Sequence, residues 1–173
     1  MDFKRPEDFK YKKDLKNYVN QKGGFVKMML NNVQDPKAKD FDKEAIPARY
    51  REKVPQDAIY FEGIASNGDL NMNGYIIRPE AWTPAVNQYM EDFGGKVYYQ
   101  HDMGKPIGQT LEAYVDGNSL IVHGYVFDDT HSQGEIRRGL TTDLSTGHYT
   151  LATEFENANT GEVITNEEFE ETA

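Results

Sequence analysis

The sequence predicts a mainly β protein with peripheral helices, an α+β fold whose strands form a compact antiparallel barrel or sandwich. Six segments have the composition and length of strands, and turn residues such as Gly, Asn and Asp separate several of them. Only two short helical patterns interrupt this series. Aromatic residues make up 12% of the chain, which is enough for a compact core.

The first 55 residues are predicted to form an extension with its own character. Pro6 followed by two acidic residues signals a helix start, apolar residues then recur at helical spacing, and Gly23-Gly24 ends the helix. Residues 25–33 are a short apolar segment whose type the pattern leaves open. Residues 34–55 are polar and contain three prolines, so they are interpreted as a linker. The domain boundary is therefore expected near residue 55.

Residues 56–173 are predicted to form the β domain. Its strands are expected where apolar residues run between turn signals: Ala58–Ser66, Lys96–His101, Pro106–Val115, Ser119–Phe127, Asp143–Glu156 and a last strand from Glu162. Asp116-Gly117-Asn118 is a hairpin signal. The two helices are expected from Thr83-Pro84 to Gly94-Gly95 and over Thr130–Gly139. The chain stops at Ala173 inside a strand-like segment, so the domain is expected to lack its natural C-terminal residues.

The net charge of −10 is unevenly distributed. Residues 1–53 carry 14 Lys and Arg against 9 Asp and Glu, whereas residues 54–173 carry 5 against 20. Two interpretations stay open: a solvated surface, or a basic arm that binds an acidic partner or packs on its own acidic body. The pattern argues against nucleic-acid binding, because the basic side chains of residues 1–53 are interleaved with acidic ones and the acidic residues 54–173 would repel phosphate.

Several classes of site and location are excluded by composition. Cysteine is absent, which rules out disulfides, thiolate nucleophiles and cysteine-based zinc sites, and suits a reducing cytosol. No apolar run reaches the length of a membrane span, and the first ten residues lack the apolar segment of a signal peptide. The sequence therefore predicts no membrane association.

His101 and Ser145 are the residues whose chemistry could support catalysis. Alternation along Lys96–His101 would place His101 on the face of Val97 and Tyr99, and Ser145 lies among small residues in TTDLSTG that leave room for a substrate backbone. A serine nucleophile needs a base within hydrogen-bond reach and a group that orients the base. Taken singly, each residue is more often structural than catalytic, and their spacing alone does not decide.

A metal site is the alternative use of the histidines. It could be assembled from His101 and Asp102 together with His123, His131 or His148. The absence of an HExxH or HxH pattern argues against it. His123 alternates with apolar residues in SLIVHGYVF and is predicted to cap one face of the sheet, and His131 is predicted to have a local role at a helix start.

Four sequence blocks resemble the prohead proteases of tailed bacteriophages. YFEGIASNGDLNMNGYIIRPEAW resembles the opening of that family, YYQHDMGKPIGQT its central "QHD…PIG" block, SLIVHGYVF the following strand, and DLSTGHY its "LSIG" block. The order and spacing agree over about residues 59–150. The resemblance implies a compact barrel surrounded by helices, similar to the herpesvirus assemblin proteases.

The same resemblance implies a serine endopeptidase without a cofactor. His101 matches the base of the family and Ser145 its nucleophile. Glu171, in FEETA, matches the third member best, although Glu167, Glu168 and Glu170 compete for that role. Asp102 adjoins the base but is poorly placed to orient its ring.

Family members act inside the immature capsid, in the host cytoplasm. They cleave scaffold, the scaffolding segment of the capsid protein and often themselves, and the resemblance is compatible with self-association. The remaining alternative from the sequence is a capsid-assembly or scaffold-binding protein that keeps the protease fold without catalysis.

Overall fold

The structure, a computed structural model, describes residues 30–68, 77–127, 130–140, 144, 146, 154–156 and 163–165. These residues fall into two units. The larger unit holds every described residue up to Thr146, and the smaller holds the two short strands beyond it. None of the helices within the described ranges is both long and apolar enough to cross a membrane.

The larger unit is an antiparallel sheet with a few helices, as predicted for the fold class. Its five strands have the order β1-β2-β5-β4-β3, and each neighbouring pair is antiparallel. The described sheet is open, with β1 and β3 as its edges. The strands are β1 (Leu30–Gln34), β2 (Ile59–Asn67), β3 (Lys96–Tyr99), β4 (Asp102–Asp116) and β5 (Ser119–Val126).

The described part of this unit also contains one 3-10 helix and three α-helices. A 3-10 helix spans Lys43–Ala45, and the α-helices are α1 (Ala48–Arg51), α2 (Pro79–Asp92) and α3 (Thr130–Arg137). The smaller unit contains a single antiparallel pair, β6 (Glu154–Glu156) and β7 (Val163–Thr165). That pair agrees with the predicted turn between two late strands.

The hairpin between β4 and β5 forms where the sequence predicted it. Asp116 pairs with Ser119, which leaves Gly117 and Asn118 as the two-residue connection. Gly117 has a φ of +58°, a left-handed conformation that glycine adopts without steric cost. The turn therefore sets the register of the two central strands of the sheet.

The interpretation of residues 34–55 as a linker is wrong. β1 pairs with β2, and the segment after it returns to the sheet. Ile46 and Tyr50 are 4% and 2% exposed and form a core cluster with Tyr60. Isolated buried residues in a polar stretch produce no periodic pattern, so this packing could not be predicted from the sequence. Residues 1–29, with the predicted basic helix, lie outside the described residues.

Helix α2 begins earlier than predicted. Pro79 is its first residue, and Pro84, predicted to open the helix, lies inside it. Pro79 also suits a first helical position, although Arg78 before it makes no side-chain cap. The earlier start includes Trp82 in the helix, and Trp82 packs in the core with Ala65 and Leu120. The predicted end is confirmed: the helix stops at Asp92, and Gly94 and Gly95 follow with φ of +65° and +62°.

Candidate active site

His101 lies in a tight turn between the edge strand β3 and the long strand β4. Tyr99 and Asp102 pair across the hairpin, so Gln100 and His101 are its two turn residues. Their φ values of +48° and +60° are both left-handed, as a two-residue turn of this kind requires. Residues other than glycine adopt this conformation uncommonly, and histidine is among those that do so more often. The prediction that the strand continues to His101 is therefore wrong, and His101 does not share the face of Val97 and Tyr99.

The residues that follow the turn also differ from the prediction. The strand predicted from Pro106 begins earlier, at Asp102, so Gly104 and Lys105 also lie within β4. Asp102 uses both carboxylate oxygens in its own strand: Oδ1 accepts a hydrogen bond from the Gly104 amide at 2.9 Å, and Oδ2 lies 3.7 Å from Lys105 Nζ. These contacts agree with the prediction that Asp102 is not the group that orients the base.

His101 itself is exposed to solvent. A base that serves an external peptide has to be reachable, so this exposure suits the predicted role. Ser145 and Glu171, the predicted nucleophile and third member, lie outside the described residues, as do the competing glutamates and His148.

The two neighbours of Ser145 are described. Neither Leu144 nor Thr146 is in a strand, so the predicted strand from Asp143 does not hold at these two positions. Leu144 packs against the core cluster of Ala65, Trp82 and Leu120. The residue before the predicted nucleophile is thus anchored to the core of the sheet.

A polar cluster connects α3 to the residue that precedes the His101 turn. The Tyr99 hydroxyl donates to Glu135 Oε1 at 3.1 Å and lies 3.4 Å from His131 Nε2. His131 Nε2 lies 3.3 Å from the same Glu135 oxygen, and its ring meets the Tyr99 ring edge-on. The sequence predicted a local role for His131 but not these partners.

His123 lies in a second polar cluster, buried on a face of the sheet. Its ring is 3% exposed and sits between two tyrosines, with Tyr60 Oη 2.8 Å from Nδ1 and Tyr114 Oη 3.0 Å from Nε2. The Tyr50 ring covers it at a centroid distance of 4.7 Å. In the neutral imidazole one ring nitrogen donates to a tyrosine and the other accepts, so both nitrogens are satisfied.

Two carboxylates flank this buried ring. Glu62 on β2 and Glu112 on β4 are the residues paired with His123 on either side, and Glu62 Oε2 lies 3.7 Å from Nδ1. Burial lowers the pKa of His123, and the opposing effect of the two glutamates is smaller. Burial, with a hydrogen bond to Glu112, also raises the pKa of Tyr50 to about 12. His123 is therefore a neutral core residue, inaccessible to substrate.

We expect the chain to lose stability as the pH falls below 6.5. Because the pKa of His123 is lower in the folded state than its ordinary value of 6.5, the unfolded chain binds the proton first and acid favours unfolding. The contribution is fully present above pH 6.5 and is lost as the pH falls toward the folded-state pKa. Urea unfolding between pH 7.5 and 5 measures it.

A matched control identifies the group responsible. His123→Gln should flatten the pH dependence between pH 7.5 and 5, whereas Phe93→Ala, a change at an exposed residue without an ionisable group, should keep it. The Asp35–Arg137 pair acts only at lower pH, because the hydrogen bond from Arg137 holds the pKa of Asp35 below its ordinary 3.8. An unchanged pH dependence in His123→Gln would refute this assignment.

Two of the histidines that could have formed a metal site lie in separate clusters. His123 is in the buried tyrosine cluster and His131 in the cluster with Tyr99. Among the residues that the structure describes, no three His, Asp or Glu side chains are grouped in a way that could hold a metal ion.

A groove opens elsewhere on the larger unit, beside β1. Val33, Phe41 and Ile136 form its apolar lining, and the Asp35–Arg137 ion pair forms part of its wall. His101, the one predicted catalytic residue that the structure describes, is not in its lining. Comparison of the chain with models of protein families, with curated proteins and with solved structures found no match.

Proposed function

We propose that the chain is a serine endopeptidase that cleaves scaffold, the scaffolding segment of the capsid protein and itself inside a phage prohead. The four ordered sequence blocks suggest this function. The structural observation that carries it is the placement of His101, an exposed imidazole on a two-residue turn in the left-handed conformation. Residues held in sparsely populated conformations are concentrated at functional sites, where the surrounding structure sustains the strain.

In this proposal the hydroxyl of Ser145 attacks the scissile carbonyl. His101 accepts the serine proton and passes it to the leaving amine, and Glu171 holds the imidazole tautomer and stabilises its charged form. Backbone amides aimed at the developing oxyanion would complete the site. The packing of Leu144 against the core cluster of Ala65, Trp82 and Leu120 supports a fixed position for the chain next to Ser145.

The same proposal includes a fold in which the sheet closes into a barrel of the herpesvirus-protease type. Side chains of the single helix α3 contact both Asp35, which follows edge strand β1, and Tyr99, in edge strand β3. The edges of a flat five-stranded sheet would be about 19 Å apart, whereas an eight-residue helix is about 12 Å long. Contacts from one short helix to both edges are expected of a sheet whose edges curl toward each other, although the long side chains of Arg137 and Tyr99 span part of the distance.

The partners and the compartment follow from the same proposal. Capsid protein and scaffold are the polypeptide substrates, and the protein acts within the assembling prohead in the host cytoplasm. The acidic β domain, with 5 Lys and Arg against 20 Asp and Glu, would repel nucleic acid. No cofactor is needed for this chemistry.

Co-expression with the capsid protein and scaffold tests the function. We expect the wild-type chain to shorten both substrates on a gel and Ser145→Ala to leave them at full length, because the nucleophile is lost. Ser119→Ala, which removes a serine at the start of β5, is the matched control and should process normally.

Normal processing by Ser145→Ala would overturn the proposal. If neither the wild-type chain nor Ser145→Ala processes the substrates, but both proteins still bind scaffold or capsid protein, the non-catalytic assembly protein becomes the better description. His101 and Ser145 would then both be dispensable for binding.

A further inference from the structure

Helix α3 is fixed to one end of the sheet by buried polar contacts. Gln133 is fully buried, and its Nε2 donates to the carbonyl of Asp57 at 3.1 Å and to that of Val126 at 3.3 Å. These carbonyls lie just before β2 and at the end of β5. The side chain therefore ties the helix to two central strands at a single end of the sheet.

A bidentate ion pair adds a third attachment. Arg137 donates from Nε and Nη2 to the two oxygens of Asp35, at 2.7 and 3.0 Å, and its Nη2 also donates to Gln133 Oε1 at 2.8 Å. Asp35 is only 8% exposed. Bidentate contacts of this kind fix orientation as well as position, so they limit the rotation of α3 about its axis.

Two further polar side chains of α3 contact the residue that precedes the turn of His101. His131 and Glu135 are four residues apart and therefore lie on one face of the helix. Both contact the hydroxyl of Tyr99, the last residue before the turn. Partial burial and the hydrogen bond to Glu135 raise the pKa of Tyr99, so its hydroxyl stays protonated and can donate.

The turn needs such an attachment because its own strand pairing is irregular. The register between β3 and β4 shifts between Val97 and Tyr98 and again between Tyr98 and Tyr99. Gln100 and His101 then adopt left-handed conformations that their side chains disfavour. An irregular ladder alone is a weak support for two strained residues in succession.

We infer that Glu135 and His131 are positioning residues that act through the Tyr99 hydroxyl to hold the Gln100–His101 turn in its left-handed conformation. The catalytic meaning of this contact rests on the proposed function, in which His101 is the base. The rigid attachment of α3 to the sheet makes it a fixed reference against which the turn is held.

Two variants remove the contact with little change elsewhere. Tyr99→Phe deletes only the hydroxyl, and Glu135→Ala deletes the acceptor, whereas Glu135→Gln keeps an oxygen that can accept from Tyr99. Tyr98→Phe is the matched control, since it removes a hydroxyl from the neighbouring residue of the same strand.

Amide exchange measured by NMR at residues 100–102 tests the structural part without any activity. We expect exchange about 10-fold faster in Tyr99→Phe and Glu135→Ala than in the wild type, since local opening becomes easier. Tyr98→Phe and Glu135→Gln should remain near the wild-type rate. Equal exchange in Tyr99→Phe and the wild type would overturn the inference, whatever the activity.

Kinetics test the catalytic part. In an active wild-type enzyme we expect kcat to fall about 10-fold in Tyr99→Phe with KM unchanged, because a displaced base slows chemistry more than binding. Faster exchange with an unchanged kcat would contradict a positioning role. A wild-type chain without Ser145-dependent cleavage would refute the proposed function alone, and the exchange rates would still decide whether α3 holds the turn.

Discussion

Replacing His101 with asparagine is expected to lower the rate of peptide-bond cleavage by about 10⁴-fold or more. Asparagine tolerates the left-handed conformation of the turn but cannot accept the proton of Ser145. Because residue 101 is exposed, the free energy of unfolding should stay within about 0.5 kcal/mol of the wild-type value. Single-turnover cleavage of a purified substrate, with urea unfolding of the same samples, measures both quantities.

The neighbouring turn residue provides the control for this substitution. Gln100→Asn changes the other left-handed position and should retain cleavage within a few-fold of the wild type. If His101→Asn cleaved as fast as Gln100→Asn, the base would have to be another residue. If both variants lost activity together with stability, integrity of the turn rather than its imidazole would be the cause.

Replacing Trp82 with alanine is expected to lower the free energy of unfolding by about 3–5 kcal/mol. Trp82 is 6% exposed and joins Ala65 and Leu120 in the core beneath α2, so its removal leaves a large cavity. Leu144 packs against the same cluster, and the chain next to Ser145 should loosen as a result. Urea unfolding followed by circular dichroism measures the loss.

An exposed aromatic residue just after the same helix is the control. Phe93 is 51% exposed, and Phe93→Ala should change the free energy of unfolding by about 0.5 kcal/mol or less. A loss below about 1 kcal/mol in Trp82→Ala would mean that α2 is not packed on the sheet through this side chain.

Local signals predicted the fold where one element could be recognised without its partners. The Asp116-Gly117-Asn118 hairpin, the strand at Ile59–Asn67 and the end of α2 at paired glycines all follow from residue type and spacing alone. The packing of residues 34–55 could not be predicted in this way, since Ile46 and Tyr50 are buried by residues far along the chain. Burial of this sort depends on tertiary contacts that no short window contains.

The candidate site was predictable only in part for the same reason. His101 is a candidate because it occurs in the block YYQHDMGKPIGQT. The Gln100–His101 pair carries no hairpin signal, so the sequence predicts a strand end where the structure has a turn. The cluster around His123 joins Tyr50, Tyr60 and Tyr114, and its members are separated by up to 73 positions along the chain. The sheet register places Tyr60 and Tyr114 beside His123, and the packing of α1 adds Tyr50.

In the proposed function Ser145 is a nucleophile that His101 activates. Reaction with a fluorophosphonate probe, followed by mass spectrometry of the labelled peptide, tests it without knowledge of the cleavage site. We predict a single adduct on Ser145 that forms in the wild type and in Gln100→Asn and is lost in His101→Asn. Labelling at another residue, or labelling of Ser145 that is equally fast in His101→Asn, would contradict the claim.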